Sequence, residues 1–524
     1  MSGSGSSATA GVGAGIAFTP IRKGLAERGR PAGAGHHAAS RWGTSADVGR
    51  SPVQPRLLAG LGITVAGGAF LVSTAPIPAL LLFVVAGVVA AIVIRPAFAT
   101  YLLITVTPLV VGIDRGSALP IVRPNEALSL LVGAALFGRA VWRLRTGNRR
   151  RLRLNQLEKS ILIFTVAASV LPLMIMLARH RPVSGDDLIY ALVLWKYVGA
   201  YVIVSASIKT AAEVRRCLFL SLGAAAVVAV VAILQVGGVG PVRSLLAAYY
   251  APLGYVGALA DARGSSTLAL PAATGDLLIY NLGIAAALLS TRIGSRRLLL
   301  GAAVLFGVGV LATAEFSCAL GLIIAVVIIC VVNRSARFAY MAGAVAVLGG
   351  LGLQSVIAKR LSGFHSAQGL PTSWTGRLHN LQSYFWPELF HGWNSVLGVR
   401  LSARVPVASQ ARGYVWIESG YTWLLWGGGL PLFIAFFFLL YAGLRRGTRL
   451  AAGPPDVMGV VGRGLVVALG VMAVLMFFDP HLTYRGSADS LFVLMALSAV
   501  PGRASPTGSA VGGAELRSQS RGRT

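Results

Sequence analysis

Residues 362–446 read SGFHSAQGLPTSWTGRLHNLQSYFWPELFHGWNSVLGVRLSARVPVASQARGYVWIESGYTWLLWGGGLPLFIAFFFLLYAGLRR. The stretch has two characters. Up to Glu418 it is polar and basic: from Ile357 it carries Arg360, Arg377, Arg400, Arg404 and Arg412 against only Glu388 and Glu418. From residue 419 to 442 it is an apolar run closed by Arg445 and Arg446. Such a run is long enough to cross a bilayer as a helix. A long basic loop with a carboxylate at its membrane edge is where chemistry is expected in a chain that is otherwise mostly apolar.

Composition agrees with a membrane solvent. Of 524 residues, 55% are hydrophobic and 12% charged, with mean hydropathy +0.74. A soluble protein would carry roughly a quarter charged residues, so the expected class is an all-α polytopic membrane protein with the lipid bilayer as its partner. Two readings compete for the net charge of +29. One is nucleic-acid binding; the other is the collection of Lys and Arg in cytoplasmic loops. The basic residues fall in alternate loops and in the tails, which favours the second and leaves no nucleic-acid partner. Cys217, Cys318 and Cys330 lie in apolar runs without metal-ligand spacing and read as small hydrophobes.

Residues 1–56 are rich in Gly, Ala, Ser and Arg and are expected to be a disordered cytoplasmic tail, too long and polar for a signal-peptide n-region. Residues 57–501 form the membrane domain, and 502–524 a second cytoplasmic tail. Spans are predicted at 57–73, 77–94, 97–113, 126–142, 160–178, 188–207, 217–236, 272–291, 298–313, 317–333, 339–356, 419–442, 460–478 and 488–501. With the N-terminus inside, the inner loops hold Arg95, Arg143–Lys159, Lys209–Arg216, Arg292–Arg297, Arg334–Arg337, Arg445–Arg463 and the Arg503 tail. All are basic. Asp114, Asp186, Asp187, Asp261 and Asp479 fall outside. Arg297 and Arg334 flank 298–333 on one side, which requires an outer hairpin near Thr313–Ser317. About fourteen helices with both ends inside satisfy the pattern. Two outer loops are long, 237–271 and 357–418, the second lying before the third-last helix. Amphipathic interfacial pieces are expected in both. Trp374, Trp386, Trp393 and Trp416 fit interfacial anchors or a sugar-stacking platform.

No internal repeat, Walker motif, GxGxxG after a strand, DxD-like pair, HExxH or GxSxG context occurs. Chemistry driven by ATP or a nucleotide sugar is therefore disfavoured. An outer site fed from the bilayer has a natural donor in a polyprenyl diphosphate carrying a sugar chain. The departing diphosphate gains negative charge, which the fixed fork of Arg matches. Arg263, in RGSSTLALPAATGD, and Arg377 are the leading phosphate ligands; each could equally be a solvated loop charge or a snorkelling anchor. Arg400, Arg404 and Arg412 are further substrate-binding candidates, with Trp386 and Tyr421. Glu418 is the candidate general base, or simply a carboxylate favoured at a helix N-terminus. His379 and His391 are candidate helpers. Glu126, Lys196, Asp276, Glu315 and Asp479 are charges in or beside spans, and a proton path through them would mean transport.

Over roughly residues 98–500 the sequence resembles the O-antigen ligase and polymerase superfamily, bacterial membrane glycosyltransferases that use undecaprenyl-diphosphate-linked glycans. The likeness rests on Arg263 before a span, on the hairpin LATAEFSCALGL, on Arg377 followed by Trp386 and VLGVR around Gly398, and on Glu418-Ser419, nine residues, then Gly429. In the ligases the Glu418 position is His, and the hairpin commonly reads Ser-Arg where this chain has Ser317-Cys318. The carboxylate suits the polymerase-like members, and Arg243 to Gly254 gives their Arg-x10-Gly spacing. The resemblance implies a C-type (GT-C-like) helical fold with its site at the outer face of a bacterial cytoplasmic membrane. It implies no metal and no cofactor, since arginines neutralise the diphosphate. The implied partners are an undecaprenyl-diphosphate-linked glycan donor, a glycan or lipid-linked acceptor, and envelope polysaccharide assembly proteins. The alternatives are a transporter or flippase for a lipid-linked or anionic substrate, and a non-catalytic scaffold of envelope synthesis.

Overall fold

A computed structural model describes residues 76–114, 122–145, 154–250, 263–352, 354, 358, 372–408 and 413–501. The tails 1–56 and 502–524, the predicted span 57–73 and Arg412 lie outside the described residues. The described residues from Ile77 onward form one compact unit. The described residues are mostly helical (79%), as expected of an all-α polytopic membrane protein.

In chain order the helices are α1 (Pro76–Ile94), α2 (Ala97–Val110), α3 (Pro124–Arg145), α4 (Gln156–Ala167), α5 (Val170–Ala178), α6 (Gly185–Ser207), α7 (Ala211–Val236), α8 (Gly240–Tyr249), α9 (Pro271–Thr291), α10 (Arg296–Ala312), α11 (Phe316–Asn333) and α12 (Arg337–Gly352). The long loop follows, with α13 (Thr372–Asn380), a π turn (Leu381–Phe385), α14 (Trp386–Leu389), α15 (Asn394–Leu397) and strands β1 (Arg404–Pro406) and β2 (Tyr414–Trp416). The chain then closes with α16 (Gly420–Ala451), α17 (Val457–Leu475) and α18 (Ser487–Ala499). Among the described residues eight helical segments are long and apolar enough to cross a membrane: α3, α4 with α5, α6, α7, α9, α11, α16 and α17. From 77–94 onward, every predicted span coincides with one helix or, for 160–178, with a pair. That pair breaks at Ala168–Ser169 because Pro172 has no N–H to donate to the Ala168 carbonyl four residues back.

Local sequence sets the helix starts. Asn155 with Glu158, Ser184 with Asp187, and Thr210 with Glu213 form reciprocal capping boxes that satisfy backbone N–H groups at the heads of α4, α6 and α7. The central helix is α9: 89% of its apolar window is buried, against α7, α10, α11 and α17. The helices lining it present small residues, which lets backbones approach closely where lipid offers no hydrophobic drive between them. Gly275 of α9 faces Cys318 of α11, where a Cβ would overlap the sulfur.

The loop 357–418 does contain the expected helical pieces, and it also contains an antiparallel hairpin that composition did not suggest. Val405 pairs with Val415, Arg404 with Trp416 and Pro406 with Tyr414. The loop is fastened to a break in α16. Pro431 cannot donate to the Gly427 carbonyl, and Gly429 takes φ 63° and ψ −156°. The Trp426 carbonyl instead accepts from Val399 N–H (2.7 Å) and Arg400 N–H (3.3 Å), while Trp426 Nε1 donates to the Ser402 carbonyl at 3.0 Å. The WGGGLP run is thus the mooring point of the polar segment.

Candidate functional site

The loop connections at one end of the bundle carry the charged cluster. Arg263 lies in the connection before α9, held in place because Gly264 N–H donates to the Ala312 carbonyl at 2.9 Å. The Gln235 side chain secures the next residues, accepting from Ser266 N–H at 2.9 Å and donating to Ser265 Oγ at 3.1 Å. Glu315 is the residue just before α11, Glu418 lies two residues before α16, and Asp479 sits in the turn after α17. The N-terminal ends of α9, α11 and α16 therefore converge here, and helix N-termini favour negative charge.

Arg377 is brought over these groups by its own helix. Trp374, Arg377 and Asn380 share one face of α13 at three-residue spacing. Trp374 packs on Phe478 (ring centroids 5.2 Å) and edge-on to Phe316 (6.4 Å). Phe316 and Phe478 are the sequence neighbours of Glu315 and Asp479, so the aromatic contact fixes the ionic one. The guanidinium meets a carboxylate on each side: Nη1 to Asp479 Oδ2 at 2.7 Å, Nη2 to Glu315 Oε1 at 3.5 Å, and Nε to Glu418 Oε1 at 3.8 Å. The other oxygen of Glu315 lies 3.5 Å from Arg263 Nη1. Asn380 Nδ2 donates to Glu418 Oε2 at 3.4 Å.

Arg263, Arg377 and Glu418, read from distant stretches of sequence, thus belong to one cluster joined through Glu315. Glu315 and Asp479 were legible only as charges beside spans. Asn380 carried no signal beyond its spacing from Arg377.

The electrostatics divide the three acids. Asp479 is 9% exposed and tightly paired, whereas Glu418 is 30% exposed and most loosely held by Arg377. Burial pushes the Glu418 carboxyl above its ordinary range; Arg377 opposes the rise, and Asp479 and Glu315 add to it. Asp479 is raised by burial as well, against the pull of Arg377 and His481. Burial works to lower the Arg377 pKa, but Asp479, Glu418 and Glu315 outweigh it, so Arg377 stays charged. Two arginines face three carboxylates, which favours a resident proton on the acids. Among the described residues no group of His, Cys, Asp and Glu could hold a metal ion.

The remaining candidates have contacts elsewhere. Arg400 grips Asp187, with Nε to Oδ1 at 3.2 Å and Nη2 to Oδ2 at 2.8 Å, and donates to Ser184 Oγ at 3.0 Å. It ties the loop to the head of α6. Asp187 is wholly buried, so Arg400→Ala is expected to lower stability by about 3 kcal/mol, read from the melting temperature in detergent. Arg404 stacks over Tyr414 and Trp416, 4.8 and 5.0 Å from the ring centroids, with Asp186 at 3.8 Å. The Tyr421 hydroxyl donates to the Ala473 carbonyl at 2.7 Å, and its ring joins Phe433, Phe436, Phe437 and Phe477. Tyr421 is a packing residue of the α16–α17 contact. Trp386 Nε1 reaches Thr422 Oγ1 at 3.5 Å. His379 and His391 are exposed, the former beside Ser383. Comparison with family models, curated proteins and solved structures found no match for this chain.

Proposed function

We propose that the chain is a C-type membrane glycosyltransferase that polymerises or ligates a polyprenyl-diphosphate-linked surface polysaccharide, of O-antigen, capsule or exopolysaccharide type. It crosses a bacterial cytoplasmic membrane about fourteen times, with both termini inside and the cluster at the outer face. The observation that carries this reading is the Glu315 bridge. One carboxylate offers an oxygen to each of two guanidiniums, Arg263 and Arg377, at 3.5 Å. Two cations at that spacing suit an anion with several oxygens, and both contacts are long enough for a diphosphate to displace Glu315. The converging helix ends add to the attraction.

In the reaction the acceptor hydroxyl gives its proton to Glu418, and its oxygen attacks the anomeric carbon of the donor. The bond from that carbon to the diphosphate oxygen breaks, and the electron pair leaves with the lipid diphosphate. Arg263 and Arg377 meet the charge that develops there. Arg377 is held in place by Asp479, which leaves Glu418 free to exchange a proton. Glu418→Gln is expected to cut chain extension about 10²–10⁴-fold while the protein still folds, since Gln keeps the shape. Glycan length profiles of cells carrying the variant test this; a normal length distribution would reject Glu418 as the base.

A proton-coupled transporter is the second reading. It is favoured by Lys196 and Asp489, a largely buried ion pair 3.3 Å apart between α6 and α18. Flux of a lipid-linked substrate across a vesicle without a new glycosidic bond would select it.

A further inference from the structure

His481 lies at the start of a 3₁₀ turn, His481–Thr483, in the connection from α17 to α18. The site described above does not use it, and neither does it use Asp276, one turn into α9. The two side chains are wholly buried and meet with His481 Nδ1 2.8 Å from Asp276 Oδ2. Among the described residues the imidazole has no other hydrogen bond, since Nε2 is without a partner. Asp276 is therefore the one hydrogen-bond partner of the ring among the described residues, and the ring packs on Tyr484 at 4.9 Å.

The turn that carries His481 also carries Asp479. His481 N–H donates to the Asp479 carbonyl at 2.8 Å, and Thr483 N–H to the Pro480 carbonyl at 2.9 Å. Asp479 in turn makes the shortest contact to Arg377, at 2.7 Å. The path from α9, the most buried of the eight candidate spans, to the guanidinium thus runs Asp276, His481, the backbone of the turn, Asp479, Arg377. Leaving a lone carboxylate or a lone imidazole in such an interior is unfavourable; an opposite charge in contact compensates it. The charged groups that act on the ring are Asp276 from α9, Asp479 from its own connection and Arg377 from α13; Glu315 at the head of α11 joins them around the neighbouring Tyr484. Acids predominate among the groups nearest the ring.

We propose that Asp276 and His481 are a buried carboxylate–imidazolium pair that anchors the 478–481 turn to α9 and thereby aims Asp479 at Arg377. His481 is a positioning residue of the cluster, whatever the cluster binds. The protonation direction agrees: burial pulls the imidazole toward its neutral form, but Asp276 and Asp479 outweigh it and hold its pKa above the ordinary 6.5. The stability it contributes is complete below that ordinary value and is lost as pH rises through the raised one.

The test uses the full chain in lipid nanodiscs with ¹⁵N-labelled histidine, the His481 signal among seven being assigned with His481→Gln. At pH 6.5 more than half of the His481 rings are expected to carry a proton on both nitrogens. A ring mostly neutral at pH 6.5 would overturn the ion pair. Amide hydrogen exchange reads the positioning. In Asp276→Asn the amides of 479–484 are expected to exchange at least about tenfold faster, by local opening; unchanged exchange there would overturn the anchoring. If Asp276→Asn does not fold, melting temperature decides. The deficit of His481→Gln against the native chain should then shrink as pH rises above 6.5, and a deficit independent of pH rejects the proposal. None of these readouts involves a substrate, so they stand apart from the glycosyl-transfer reading.

Discussion

Arg377→Ala is expected to abolish chain extension, lowering transfer by at least about 10²–10³-fold, and also to destabilise the protein by about 3 kcal/mol at neutral pH. Both effects follow from the same geometry. The guanidinium is 20% exposed and faces Asp479, Glu315 and Glu418, so its removal strands three acids in a poorly hydrated corner. Burial already raises Glu418 and Asp479, and Arg377 is what holds both down. Without it their folded-state pKa values climb further above those of the unfolded chain. The folded variant then binds more protons than the unfolded one, so its stability falls as pH rises through the carboxylate range, about 4, and beyond. The deficit should accordingly be largest at alkaline pH and smallest near pH 5. Thermal melts of both proteins across pH 5–9 check this. Arg377→Lys keeps the charge but not the fork, and should restore more stability than transfer.

Gly429→Ala should be the most damaging single substitution outside the cluster. At φ 63° an L side chain is strained, and a Cβ there would lie 2.1 Å from the Val396 carbonyl oxygen and 2.7 Å from Gly398 N. Those are backbone atoms and cannot swing aside. A cost of about 3 kcal/mol or more is expected, with loss of folded protein from detergent extracts. Gly223→Ala, where nothing lies within 4 Å of the added carbon, serves as the control and should be close to neutral. The consequence reaches the site because the loop is moored at this kink, through Trp426 to Val399 and Ser402. A variant that folds but has a loosened mooring should lose transfer as well.

The helices were legible in sequence because lipid imposes a simple rule. Apolar runs of near-constant length are separated by loops whose basic residues alternate, and the boundaries of α6, α9 and α11 followed within a few residues. Arg263, Arg377 and Glu418 were legible for the same reason, as charges at apolar edges. What could not be read was which helix ends meet. Glu315 joins Arg263 and Arg377 from a hairpin between two apolar runs, and no spacing rule links them. Arg400 looked like a phosphate ligand because the loop is basic, yet its partner is Asp187, 213 residues earlier. Tyr421 stands one turn after Glu418, but its side chain leaves toward α17. The hairpin of β1 and β2 has strands of three residues each, too short for alternation to stand out. His481 gave no sign of its role, because a histidine between two spans is as readily exposed as buried.

The most direct measurement is made on the purified chain in nanodiscs with a polyprenyl-diphosphate-linked oligosaccharide and no ion gradient. A new glycosidic bond is expected to form with release of free lipid diphosphate, and both are expected to fail together with Glu418→Gln. An unaltered oligosaccharide under those conditions, from native protein that is demonstrably folded, would contradict that expectation.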